Sequence, residues 1–256
     1  TLQELGQLEE AVASYQMAIA IEPDYVEAHC NLSVVLQELG RLDEAIASYH
    51  KALAIKPNYA EAHYNLGIAF QDLGQLDKAV TSYHKALAIK PDFAEANYNL
   101  GTAFQDLGTL EEAVASYYKA LEINPNHTEA HYNLGYTLQD LGKLDQAVAS
   151  YHNAIHNNPD HAEAHLNLGR VLLMCGNYEE GWQEYEWRWR CSNFSSTWRN
   201  FPYPQWRGEP VTHKTVLVWS EQGIGYEIMF TNPIRDLIAE GATLLLECEE
   251  RLVPLF

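Results

Sequence analysis

One interval dominates this chain. Gly6, Gly40, Gly74, Gly108, Gly142 and Gly176 recur every 34 residues. So do Pro23, Pro57, Pro91, Pro125 and Pro159, and so do Tyr15, Tyr49, Tyr83, Tyr117, Tyr151 and Tyr185. Three interleaved series of different residue types, held over five or six copies, point to a stacked repeat architecture rather than a single closed core.

One unit, residues 60–93, reads AEAHYNLGIAFQDLGQLDKAVTSYHKALAIKPDF. It divides at Gly74. The first half carries Tyr64, Leu66, Ile68, Phe70 and Leu73. The second carries Leu76, Ala79, Val80, Tyr83, Ala86 and Leu87 at the i, i+3, i+4 spacing of an amphipathic helix. Gly74 supplies the turn. Pro91 ends the second helix because it has no amide proton and disfavours helix in the preceding residue. The small residues Gly67, Ala79 and Ala86 allow the two helices to approach closely.

With Leu66-Gly67, Phe70, Gly74, Ala79, Tyr83, Ala86 and Pro91 in place, the unit resembles the tetratricopeptide repeat. The resemblance covers about three quarters of the chain, framed as units 26–59, 60–93, 94–127, 128–161 and 162–195. Residues 1–25 read as the second helix of an earlier, partial unit. Two departures stand out. Ser33 replaces the small glycine of the first full unit, and the last unit has Gly181 in place of alanine and no closing proline. That last second helix is therefore expected to be degenerate and to act as a junction. The fold class this implies is mainly α: a right-handed superhelix of five full helix pairs plus a partial one, followed by an incomplete α/β segment. The first helix of each pair would line the concave face.

Equivalent places in successive units show what that face would present. The sixth place is Asn31, Asn65, Asn99, Asn133 and Asn167. The twelfth is Gln37, Gln71, Gln105 and Gln139, then Leu173. The thirteenth is Glu38, Asp72, Asp106 and Asp140, then Met174. The ninth varies through Val34, Ile68, Thr102, Tyr136 and Arg170, and the second is always glutamate. A carboxamide offers one acceptor and two donors, so a row of them can pair with the N–H and C=O of an extended peptide. This resembles the asparagine ladder of O-linked N-acetylglucosamine transferases. The alternative is structural, with the same amides satisfying neighbouring helices. The carboxylate clamp of chaperone adaptors is disfavoured, because the fifth places are Cys30, Tyr64, Tyr98, Tyr132 and Leu166 rather than basic residues.

Charge narrows the partner. There are 16 Lys+Arg against 35 Asp+Glu, a net charge of −19. Such a chain is a poor match for nucleic acid or an anionic membrane surface. It suits a neutral or basic protein or peptide, or the acidic face serves only solubility. Histidines at the fourth place (His29, His63, His131, His165) and the twenty-fifth (His50, His84, His152) recur one unit apart. That spacing suits packing rather than metal ligation, and no metal or cofactor is expected. Cys30, Cys175, Cys191 and Cys248 form no CxxC pair, which fits a reducing cytoplasm. The chain begins with Thr1 and not methionine, as a piece of a longer protein would.

After Cys191 the period stops. Residues 192–213 are rich in aromatics and proline, and residues 196–213 read as a linker. With Trp182, Tyr185, Trp187 and Trp189 before them, they suit a hydrophobic cap on the open end of the stack. Residues 214–256 read as strand (215–219), loop, helix (226–240) and strand (242–247), one βαβ unit of an α/β domain. Gly223 and Gly225 precede a helix and read either as a tight turn or as a candidate anion-binding loop. This segment is similar to the opening of GT-B glycosyltransferase domains, whose loop carries an aspartate as the proposed base. Here Tyr226 stands in its place, and Glu227 is the neighbouring carboxylate. A phenol with a pKa near 10 is a poor base at neutral pH. No catalytic residue is assigned, and the chain alone is read as a binding scaffold. Two other readings are the substrate-recognition arm of a sugar-nucleotide-dependent glycosyltransferase, and a module that self-associates through its first helix.

Overall fold

The structure, a computed structural model, describes residues 7–192, 194, 196, 198–219, 232–248 and 250–254. The chain divides into two compact units, Thr1–Glu186 and Trp187–Phe256.

The first unit is built of helices in antiparallel pairs. α1 (Leu8–Ile21) is a second-type helix. It is followed by α2 (Val26–Glu38) with α3 (Leu42–Ile55), α4 (Ala60–Asp72) with α5 (Leu76–Ile89), and α6 (Ala94–Asp106) with α7 (Leu110–Ile123). Then come α8 (Thr128–Asp140) with α9 (Leu144–Asn157), and α10 (Ala162–Met174) with α11 (Tyr178–Tyr185). Each turn is made the same way. Gly74 adopts φ +70°, a left-handed conformation that costs a side-chain-bearing residue energy. Its N–H bonds Gln71 O at 2.8 Å, and Gln75 N–H bonds Phe70 O at 2.8 Å, which satisfies the carbonyls left over at the end of α4.

The core of each pair is a tyrosine on the second helix. Tyr49, Tyr83, Tyr117 and Tyr151 are completely buried. Burying such a ring removes on the order of 150 Å² from water, or roughly 4 kcal/mol at about 25 cal/mol/Å². The ring needs space on the facing helix, and glycine gives it. A Cβ on Gly67 would lie 2.5 Å from Tyr83 Cε1, and one on Gly101 would lie 2.6 Å from Tyr117 Cε1. Alanines at 0% exposure (Ala45, Ala79, Ala113, Ala147) bring the helices together. Ser33, which takes the glycine place in the first full unit, is buried and donates to His29 O at 2.9 Å.

Successive first helices pack on one another (α2 on α4, α4 on α6, α6 on α8, α8 on α10) more closely than successive second helices do. This puts the first helices on the inner side of the stack, where curvature brings equivalent places nearest.

The last pair differs from the others. α11 has 8 residues where the other second helices have 14, and it continues as a 3-10 turn, Glu186–Arg190. Gly169 meets backbone here: a Cβ on it would lie 2.6 Å from Tyr185 N and 2.9 Å from Gly181 O. With glycine on both helices, α10 and α11 cross at main-chain contact.

In the second unit, β1 (Thr215–Val218) and β2 (Thr243–Leu246) pair in parallel, with Leu217 opposite Leu245. α12 (Asn232–Ala239) lies between them in sequence and is followed by Gly241 at φ +91°. The strands are shorter than the sequence reading by a residue or two at their ends. Trp189 packs on Trp198 (ring centroids 5.1 Å apart), Phe194 (5.3 Å) and Trp219 (6.0 Å), and Arg199 pairs with Glu247 at 2.7 Å. Among the described residues no helix is long and apolar enough to cross a membrane.

Candidate functional site

The inner helices carry the residues singled out in sequence, and the structure joins several of them through hydrogen bonds within and between units. Tyr49 Oη donates to Gln37 Oε1 at 2.8 Å, Tyr83 to Gln71 at 2.9 Å, Tyr117 to Gln105 at 2.8 Å and Tyr151 to Gln139 at 3.0 Å. Each buried phenol thus has a partner, and each glutamine spends its carbonyl inward. The amide end is left to face the next unit. Gln71 Nε2 donates to Thr102 Oγ1 at 3.2 Å and to Asp106 Oδ2 at 3.3 Å, and Gln37 Nε2 reaches Asp72 Oδ2 at 3.5 Å.

The asparagines are used in the opposite sense. Asn99 Nδ2 donates to Tyr64 Oη, Asn133 to Tyr98 and Asn167 to Tyr132, at 3.1, 3.1 and 3.2 Å. The same amides lie near the deeper tyrosines of the preceding unit: Asn99 near Tyr83, Asn133 near Tyr117 and Asn167 near Tyr151. Burial raises these phenols far above their ordinary pKa, neighbouring tyrosines and Asp72, Asp106 and Asp140 add to that, and the asparagine amides oppose it. Burial likewise raises Tyr64 and Tyr98. The two-sided carboxamide clamp expected from sequence is therefore narrowed, because each of these asparagines spends one amide hydrogen bond within the array. Among the described residues, Oδ1 of Asn99 and of Asn133 has no partner.

The series is graded along its length. Asn31 is exposed, Asn65, Asn99 and Asn133 are half-buried, and Asn167 is buried with Arg170 Nη1 donating to its Oδ1 at 3.3 Å. Asn65 lies near Tyr49, but Cys30 stands where the next three units have the outer tyrosine. Gln71, Gln105 and Gln139 are half-buried, and Asp72, Asp106 and Asp140 are exposed. Sequence reading missed the fifth-place tyrosines as partners of the asparagines. The signal was present as two series 35 residues out of step.

The histidines have a local role. Nε2 of His29, His63, His131 and His165 bonds the carbonyl of the proline six residues earlier, at 2.9–3.0 Å. In the unit that lacks this histidine, Asn97 Nδ2 donates to Phe93 O at 3.1 Å. His165 also bonds Glu184 through Nδ1. His50 and His84 pack on Phe70 and Phe104. Among the described residues no group of His, Cys, Asp or Glu is arranged to hold a metal ion. An open depression of about 550 Å³ lies between α3 and α5, bordered by His50, Leu53, Lys85 and Ile89, and no asparagine of the row borders it. The candidate anion loop at Gly223 and Gly225, with Tyr226 and Glu227, lies outside the described residues.

Family models described as TPR repeat match residues 2–40, 35–74, 69–108 and 104–142, and one described as tetratricopeptide repeat matches residues 132–186. The chain belongs to the tetratricopeptide-repeat family. Protein FlbA of Caulobacter vibrioides is 33% identical over 87 residues, which is 33% of this chain and 15% of FlbA, so the match spans a small part of that relative. The crystal structure of MamA superposes with a TM-score of 0.59 at 26% identity, covering 61% of this chain and 91% of MamA. YrrB, described as a TPR protein with an unusual peptide-binding site, superposes with a TM-score of 0.60 at 26% identity, covering 68% of this chain and 89% of YrrB. These tetratricopeptide neighbours share the stacked helix pairs.

Proposed function

We propose that the tetratricopeptide array is a scaffold that holds an extended segment of a partner protein along its inner row of helices. One observation carries this reading. Glutamine and a carboxylate recur at fixed places on four successive inner helices, beside the row of asparagines, while the place between them changes through Val34, Ile68, Thr102 and Tyr136. A constant polar frame with variable side chains is what recognition of one segment among many requires. The likeness to YrrB, a repeat protein with a peptide-binding site, supports it. The net charge of −19 favours a neutral or basic partner.

Selection of peptides from a random library on the purified chain tests this. Selected peptides should shift the amide signals of Thr102 and Tyr136 and lose about tenfold in affinity with Tyr136→Ala, an exposed side chain whose removal leaves the core intact. Peptides that map to the second helices and ignore Tyr136→Ala overturn the reading.

A second reading is favoured by the parallel β1–α12–β2 unit. Such a unit opens many α/β enzymes, and the array would then present substrate to a sugar-nucleotide-dependent glycosyltransferase. Sugar-nucleotide turnover by the product of the whole open reading frame supports this, and its absence there removes it.

A further inference from the structure

The hydrogen bonding gives the inner row a sign. Asn99 and Asn133 each donate an amide hydrogen bond to a tyrosine hydroxyl of the preceding unit, and each keeps a carbonyl oxygen unpartnered among the described residues. Beside them stand Asp72, Asp106 and Asp140, exposed and without an ion pair among the described residues. No lysine or arginine occurs on α2, α4, α6 or α8, and the lysines of these units sit on or beside the second helices. The one lysine or arginine of the inner helices is Arg170 on α10, where the run of glutamine and aspartate has already ended in Leu173 and Met174.

We infer that the row from α4 to α8 is an acceptor track for an extended segment with a lysine or arginine at every third residue, its backbone N–H groups meeting Asn99 and Asn133 and its cations meeting Asp72, Asp106 and Asp140. The inference rests on the inner row being the binding surface. The spacing follows from geometry. Packed helices stand roughly 10 Å apart, so equivalent carboxylates recur at about that interval. A polyproline II segment turns once in 3 residues with a rise of about 3.1 Å each, which returns every third side chain to the same side after about 9 Å. Arg170 excludes a cation from the α10 end and so fixes which units are used.

A chain this acidic attracts any polycation, so the test must separate register from bulk charge. Fluorescein-labelled (Lys-Ser-Ser)4 is titrated onto the full chain by anisotropy at physiological salt, beside (Gln-Ser-Ser)4 and a peptide of four lysines followed by eight serines. The spaced peptide should bind about tenfold tighter than the block peptide and shift the amide signals of Thr102 and Tyr136. Asp106→Asn with Asp140→Asn should weaken it about tenfold. Glu111→Gln with Glu112→Gln, the same charge change on α7, should weaken it less than twofold. Circular dichroism verifies that both variants fold. Equal binding of spaced and block peptides, or equal losses in the two variants, overturns the inference. If (Gln-Ser-Ser)4 shifts the same signals with the same affinity, the row remains a peptide site and the inference alone fails. If no peptide shifts them, both fail.

Discussion

Tyr64 and Asn99 are 35 residues apart in sequence, and Asn99 Nδ2 donates to Tyr64 Oη across 3.1 Å. The bond crosses from one repeat to the next, and it recurs between Tyr98 and Asn133 and between Tyr132 and Asn167. Neighbouring units are thus tied by a polar contact as well as by apolar packing.

Removing that tie should cost stability. Asn99→Ala leaves the part-buried Tyr64 hydroxyl short of a donor, and a loss of about 1–2 kcal/mol is expected. Tyr64→Phe should lose less. Urea unfolding of both single variants and the double gives the coupling, expected at about 0.5–1 kcal/mol. Strictly additive losses would show that the bond contributes nothing.

Gly101→Ala places a methyl 2.6 Å from the Tyr117 ring, which is completely buried and cannot swing away. Overpacking of this kind costs about 1–3 kcal/mol. A thermal midpoint unchanged from the parent would mean that α6 and α7 slide apart freely.

Acid should weaken the array through its histidines. Burial lowers the pKa of His63 and His131, and the carbonyls of Pro57 and Pro125 only partly offset it. Their Nδ1 atoms are buried without partners. The unfolded chain then binds more protons below its ordinary histidine pKa of about 6.5, so this stability is present above that pH and lost as pH falls through the folded values. The thermal midpoint should fall between pH 7 and pH 5. His131→Asn borrows the residue that Asn97 already supplies one unit earlier, and it should flatten the slope.

Cys30 should be the slow thiol. Burial, with Glu27 adding and Lys56 opposing, pushes it up to about 11. Cys175 is exposed. Because the thiolate is the reactive form, alkylation of Cys30 at pH 8 should lag Cys175 by roughly two orders of magnitude. Mass spectrometry of peptides after timed alkylation measures it.

The period made the helices and turns legible, because Gly74 and Pro91 act locally on their own backbone. The Gly67–Tyr83 fit was half legible: small and large residues could be seen to alternate, but not which ring filled which gap. The inter-unit bonds were harder to see. Tyr64 and Asn99 hold adjacent places in different units, and a one-dimensional series does not say which neighbouring places meet when curved stacks close. Nor does composition say which end of an amide is spent. Asparagine reads as donor and acceptor alike until a hydroxyl is found on one side of it. The histidines reached for their prolines over six residues, too far for a helix rule to indicate.

Since the tyrosine–asparagine tie joins fifth and sixth places of adjacent repeats, a 34-residue cassette copied from unit 60–93 and spliced after residue 93 regenerates that tie on both of its borders. The main-chain crossing of Gly169 and Gly181 has no counterpart upstream. Lengthening is therefore open in whole cassettes ahead of α10, and the span of the array can be set in discrete steps without redesigning the tyrosine–asparagine interface.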